Sequence, residues 1–181
     1  EYSVAAFRYG HSQVRATYHY NDHNKNVDVF KLGAFNRVKA KIEWKYLFEV
    51  DPHTKPKLAR KIDPKLPAVL MKLPKDIAGS EGFSLADRNL RRGRTFRLPS
   101  GHSIAAAMKE DGALSGGDIL PVNPHLEKIG FKQTPLWFYC LEESQKFGGG
   151  TQLGPVGGRI VAEVLVGLVD EYRNRTGKGY D

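Results

Sequence analysis

The apolar residues that open the chain set the first constraint on its fold. Val4, Phe7, His11, Val14 and Tyr18 follow one another at steps of three, four, three and four. That spacing is one face of an amphipathic α-helix. It predicts a helix over residues 2–20, with His11 on the buried stripe and Arg8 one turn before it, close to the same face. A histidine in such a position reads first as a core residue bonded to a carbonyl. Arg8 adds a second demand, because a cation near a buried face calls for an anion held in a cleft or in the core.

The remaining pattern is also helical. With 181 residues the chain fits one domain or one part of a larger one. It has no run of 18 apolar residues, so no spanning helix is expected. It opens without Met, directly inside a helix that wants a buried face. The expectation is therefore an internal or C-terminal piece of something longer. After a polar turn at residues 21–26, Val27 to Phe30 suit a short strand. Residues 42–50 fit both a strand alternation and a helical stripe, and a short helix is expected there because the neighbours read helical. Residues 52–79 carry Pro52, Pro56, Pro64, Pro67 and Pro74. This is expected to be an irregular connection hugging the surface, since Ile62, Leu66, Val69, Leu70 and Leu73 need burial.

Ser84 with Asp87 three residues on is an N-terminal capping pattern, opening a helix to about Arg92 that Gly93 can end. A short Ala-rich helix is expected over 103–108 and a loop over 112–117. Thr134 followed by Pro135 signals a cap and a first helical turn. The helix it opens would run to about Phe147, stopped by Gly148, Gly149 and Gly150. A last helix is expected from Pro155 to about Arg173. Its apolar face would be Val156, Ile160, Val161, Val164, Leu165, Leu168 and Tyr172, with Gly157, Gly158, Ala162 and Gly167 admitting close neighbours. The tail from Asn174 reads as polar and frayed. The expected class is mainly α.

Composition excludes several classes. Cys140 is the single cysteine and sits in an apolar run, so there is no disulfide framework and no Cys/His zinc spacing. The glycines before the last helix are not followed by Lys-Ser/Thr, which argues against a P-loop. Net charge is +8, from 28 basic and 20 acidic residues, with much of the excess between Lys31 and Lys75. A basic surface spread around acidic residues accounts for it, and nucleic-acid binding is not expected. Trp44, Tyr46 and Phe48 among lysines could stack on bases, but they serve a core equally well.

The second informative helix carries Leu85, Asn89 and Arg92 on one face. One amide and one guanidinium a turn apart match His11 and Arg8. Taken alone, the segment reads as a basic solvated helix. Taken with the first helix, the four make sense around a haem. A neutral imidazole can donate a lone pair to iron if its other N–H has an acceptor, and an Asn oxygen is one. Arg is the preferred partner of carboxylates such as the haem propionates.

The words themselves carry a resemblance. Ala6-Phe7-Arg8-Tyr9-Gly10-His11-Ser12 resembles the proximal-histidine helix of the animal-type haem peroxidase superfamily. Asn89-Leu90-Arg91-Arg92-Gly93-Arg94 resembles the later segment that supplies the histidine's hydrogen-bond partner. Ile62-Asp63-Pro64-Lys65-Leu66, Leu98-Pro99-Ser100-Gly101, Thr134-Pro135-Leu136-Trp137 and Leu153-Gly154-Pro155-Val156-Gly157-Gly158 look like landmarks of its bacterial branch, in the expected order. The resemblance implies a haem-peroxidase-like helical domain, of which residues 1–181 are the C-terminal, proximal portion. By the same resemblance His11 is the axial ligand of the iron of haem b and Asn89 its acceptor. Arg8 and Arg92 map to propionate or proximal-pocket arginines. Whether the haem is covalently linked stays open.

The family implies hydrogen peroxide reduction with oxidation of a halide or small organic donor. Its distal histidine, distal arginine and calcium site lie before the proximal helix. They would come from a missing N-terminal part or a companion chain, and His19, His23, His53, His102 and His125 match no motif for them. No distal catalytic residue is therefore assigned here. The same scaffold also serves haem-dependent fatty-acid dioxygenases, for which Tyr2, Tyr9 and Tyr139 are present but unplaced. A non-catalytic interaction module that keeps the fold is a third reading and a basic RNA-binding helical domain a fourth. Secreted and cytoplasmic locations are both open.

Overall fold

The computed structural model describes residues 1–32 and 41–177, and it is mainly helical. Part of the basic excess counted between Lys31 and Lys75, and the last four residues of the tail, lie outside the described residues.

Helix α8 (Leu136–Gly148) organises the fold. Leu136, Trp137, Tyr139, Cys140, Leu141, Glu143 and Ser144 are all buried. A helix buried on most of its circumference needs neighbours on several sides. They are α5 (Leu85–Thr95), α6 (Gly101–Glu110), α9 (Pro155–Thr176) and a 3₁₀ turn at Ala6–Tyr9. Two glycines let the neighbours close in. A Cβ on Gly101 would stand 2.1 Å from the Tyr139 ring, and one on Gly154 would stand 2.1 Å from Glu143 Cγ. A Cβ on Gly157 would stand 3.2 Å from Cys140, a tight fit but not an overlap. Gly167, expected to admit a neighbour, has none within 4 Å. Ala162 is exposed.

The first helix is corrected most. The chain forms the 3₁₀ turn Ala6–Tyr9 and then the single turn α1 (Gly10–Gln13), and it leaves helical geometry at Val14 (φ −63°, ψ 138°). Thr17–Tyr18 (β1) pairs antiparallel with Val27–Asp28 (β2). The buried residues are Ala5, Ala6 and Ser12, whereas Phe7 of the predicted stripe is 51% exposed. Small side chains at 5 and 6 let this backbone press against α8 and α9, which a Phe could not do. The short strand expected at residue 27 is present, and helix α2 (Val29–Leu32) follows it directly.

The short helix expected at 42–50 reduces to a 3₁₀ turn, Trp44–Tyr46, and Trp44 and Phe48 are exposed rather than in the core. The proline-rich connection contains two single turns, α3 (Ala68–Met71) and α4 (Lys75–Ala78). Ile62, Leu70 and Leu73 are buried, and Leu66 and Val69 partly so. Leu70, Leu73 and Ala78 form a second small core that includes Val14, Phe30 and Leu85 at its edge.

Ser84 caps α5 by accepting the Asp87 N–H, and the helix passes through Gly93 to Thr95. Helix α6 begins at Gly101, two residues before its expected start, with Ser100 as its cap. A 3₁₀ turn at Gly116–Asp118 begins inside the loop expected over 112–117 and ends one residue past it, and α7 (Pro124–Lys128) was not foreseen. Pro135, not Thr134, is the N-cap of α8, and the Thr134 N–H donates to His102 Nδ1 instead. Gly149, with φ +58°, ends α8. Helix α9 starts at Pro155 as read and continues to Thr176, into the tail expected to fray. Among the described residues no helix is long and apolar enough to cross a membrane.

Candidate functional site

His11 sits in the one-turn α1, fixed from both sides. The Trp137 indole N–H of α8 donates to the Arg8 carbonyl at 3.3 Å. Ser12 Oγ donates to the Tyr9 carbonyl at 2.7 Å. Beyond it, the Gln13 carbonyl accepts the Arg60 N–H at 3.4 Å. The imidazole is therefore carried on a turn whose backbone is tied to the central helix and to the proline-rich connection.

Asn89 comes from the middle of α5 and is 1% exposed. Its side-chain amide meets His11 Nδ1 at 3.0 Å, across 78 residues of chain. The pair can carry its proton in two ways. In one, Nδ2 donates to Nδ1, the ring proton resides on Nε2, and Asn89 Oδ1 is buried without a partner. In the other, the amide is turned by half a revolution, Oδ1 accepts Nδ1–H, and the Nε2 lone pair is free. The two ends of an amide are nearly the same size, so the site accommodates both. As placed, Nδ2 faces the ring and Oδ1 has no partner among the described residues. An unsatisfied buried atom costs about 1–3 kcal/mol.

Two arginines set the charge around the ring. Burial first, then the positive charges of Arg8 and Arg92, lower the His11 pKa below its ordinary value of 6.5, so the imidazole is held neutral. Burial, and then Arg92, also lowers that of Arg8. Arg8 Nε donates to the Ser3 carbonyl at 3.0 Å, and among the described residues Arg8 has no acidic partner. Arg92 Nη2 lies 3.4 Å from Glu81, which Arg88 holds more closely at 2.6 Å. Hydrogen bonding to Arg88 above all keeps the Glu81 carboxyl below the usual range. This corner therefore sets an imidazole whose neutral form is favoured beside two cations, and the carboxylate near Arg92 is bound more closely by Arg88.

The residues singled out from the sequence thus fall in one place: His11, Asn89, Arg8 and Arg92 interact directly or electrostatically. The other histidines with assigned partners are engaged elsewhere. His19 stacks on Tyr46 with ring centres 5.1 Å apart, and His102 accepts from Thr134. Tyr139 is fully buried and its hydroxyl accepts the Leu120 N–H. Trp137 and Glu81 were missed. No periodicity could flag them, because one acts through a backbone carbonyl 129 residues away and the other from a loop before α5. Among the described residues no group of three or more His, Cys, Asp or Glu side chains is placed to hold a metal ion.

A cleft of about 440 Å³ opens on another side of Asn89, between the end of α5 and the start of α8. Neither His11 nor Arg8 lines it. Comparison of the chain with protein-family models, curated proteins and solved structures finds no match.

Proposed function

We propose that this chain supplies the proximal side of a haem-dependent peroxidase, with His11 as axial ligand to the iron. One observation carries the reading: a buried amide from a distant helix holds His11 Nδ1 at 3.0 Å. A histidine that ligates a metal through one nitrogen needs the other N–H fixed by an acceptor, which sets the tautomer and raises the ring's basicity. Asn89 Oδ1 suits that task in one of the two amide orientations, and that orientation leaves Nε2 with a free lone pair. Arg8, without an acidic partner among the described residues, and Arg92, weakly paired, suit the propionates. Burial, and then the charges of Arg8 and Arg92, disfavour the imidazolium and so favour the neutral form that can ligate.

When bound, haem supplies the redox chemistry by which hydrogen peroxide is reduced and a halide or small organic donor oxidised. The residues of this chain bind and orient. His11 offers Nε2, Asn89 keeps the proton on Nδ1, and Arg8 and Arg92 neutralise carboxylates. No described residue of this chain is assigned proton transfer to or from peroxide.

The test is haem titration followed by absorption and resonance Raman spectroscopy. The protein should bind one haem with a histidine-ligated spectrum that His11→Ala removes and added imidazole restores. Asn89→Ala should keep the ligand, lower the iron–histidine stretching frequency and weaken haem binding by about 10–100-fold. Identical spectra for the protein and His11→Ala would rule the assignment out.

A further inference from the structure

The 440 Å³ cleft beside Asn89 has the size and lining of a small-molecule site. Leu90, Leu98, Phe131, Leu136 and Trp137 make its walls largely apolar. Polar groups stand at defined points. Ser100 and Gln133 lie on one side, bonded to each other at 2.7 Å. Arg91 and Arg94 lie at the α5 wall, and Asn89 contributes to the same wall.

The two arginines are not equivalent. Arg91 is held by Asp87 at 2.9 Å, a pairing one helical turn apart. Arg94 is exposed and, among the described residues, has neither an ion pair nor a side-chain hydrogen bond. It is an uncommitted guanidinium on the wall of an apolar cleft. Asn89 forms part of the wall and not a ligand contact: it is 1% exposed, its Nδ2 meets His11 and its Oδ1 is closed off from solvent.

We propose that this cleft binds a small hydrophobic carboxylate, its apolar body against Trp137 and Phe131 and its carboxylate on Arg94. The site is separate from the face assigned to haem, since His11 and Arg8 do not line it, and it does not require haem to bind there. A cationic ligand is disfavoured by Arg91 and Arg94. An uncharged one of the same shape gains only the apolar contact.

Trp137 reports on the cleft directly, being 4% exposed and part of its lining. The chain holds two tryptophans, and Trp44 is 58% exposed and does not line the cleft. Trp44→Phe therefore leaves Trp137 as the single indole. Titration with octanoate should give a saturable change in its emission, matched by calorimetry on the unaltered protein. Octanol should bind at least about tenfold more weakly and octylamine more weakly still. Arg94→Gln, at an exposed side chain with no bond to lose among the described residues, should weaken octanoate about tenfold and leave octanol unchanged. Arg91→Gln should have the smaller effect. The proposal is overturned if octanol binds as well as octanoate, if Arg94→Gln leaves octanoate affinity intact, or if neither method detects saturable binding. None of these outcomes bears on the haem titration, so the two readings fail independently.

Discussion

At the scale of residues, the charge state of His11 decides what its ring can do. A protonated imidazole has no lone pair for a metal, and two neighbouring guanidiniums oppose that protonation. Burial contributes most to the lowered pKa, with Arg8 and Arg92 adding to it. The sign for stability follows. A histidine with a folded pKa below its unfolded value of 6.5 contributes stability that is present above 6.5 and lost as pH falls through the folded value. Following the His11 ring protons by NMR across pH should give a midpoint below 6.5. Arg92→Gln should move it upward, though not fully to 6.5, because burial remains. A midpoint that ignores Arg92→Gln would mean the two groups do not feel each other.

At the scale of elements, the junction of α8 with α9 is held by a buried acid. Glu143 is fully buried, and its carboxylate accepts the Val156 N–H at 2.8 Å and the Gly157 N–H at 2.9 Å. These donors belong to the first turn of α9, where backbone N–H groups lack partners inside the helix and favour an anion. Gly154 has no side chain because Glu143 occupies that space. Burial nonetheless outweighs the two hydrogen bonds and pushes the Glu143 carboxyl up to about 7. Its unfolded value is 4.5, so the folded form keeps a proton that the unfolded form has already released. Its stability contribution is complete below 4.5 and declines as pH rises through 7, by on the order of 3 kcal/mol. Urea unfolding at a series of pH values should show this decline in the protein and not in Glu143→Gln. The variant should also be weaker at pH 4.5 by about 1–3 kcal/mol, because an amide presents one acceptor where two N–H donors need partners. Parallel pH profiles for the two proteins would show that Glu143 does not titrate in this range.

At the scale of the whole molecule, order should decrease with distance from α8. The principal core gathers Ala5, Ala6, Ala105, Val156 and Ile160 around that helix. Helix α9 has 22 residues and α8 has 13, so at 1.5 Å per residue α9 runs about 13 Å longer than its partner. The overhang carries Leu165, Val166, Leu168 and Tyr172, which are 45–62% exposed. The apolar face expected along the whole helix is therefore buried only at its start, at Val156, Ile160 and Val161. Hydrogen exchange should protect the amides of 139–144 by orders of magnitude more than those of 165–176. Equal protection along α9 would mean that another surface covers its end.

Local chemistry written into the chain was enough for the features that a few neighbouring residues decide. Ser84 with Asp87 marks the start of α5, Gly149 ends α8 through its positive φ, and Pro155 opens α9. The mainly helical class follows from the same signals. The N-terminal stripe misled because a three-four spacing counts apolar residues without saying which of them a neighbour will cover. The docking of Ala5 and Ala6 on α8 and α9 broke that helix at Val14 and turned Phe7 outward. Residue type suggested that His11 and Asn89 belong together, but only the packing of α5 and the first turn on the same helix brought them to 3.0 Å. Tertiary packing likewise determined the partners of Glu143 and Trp137, because each contact joins segments whose approach no local spacing encodes.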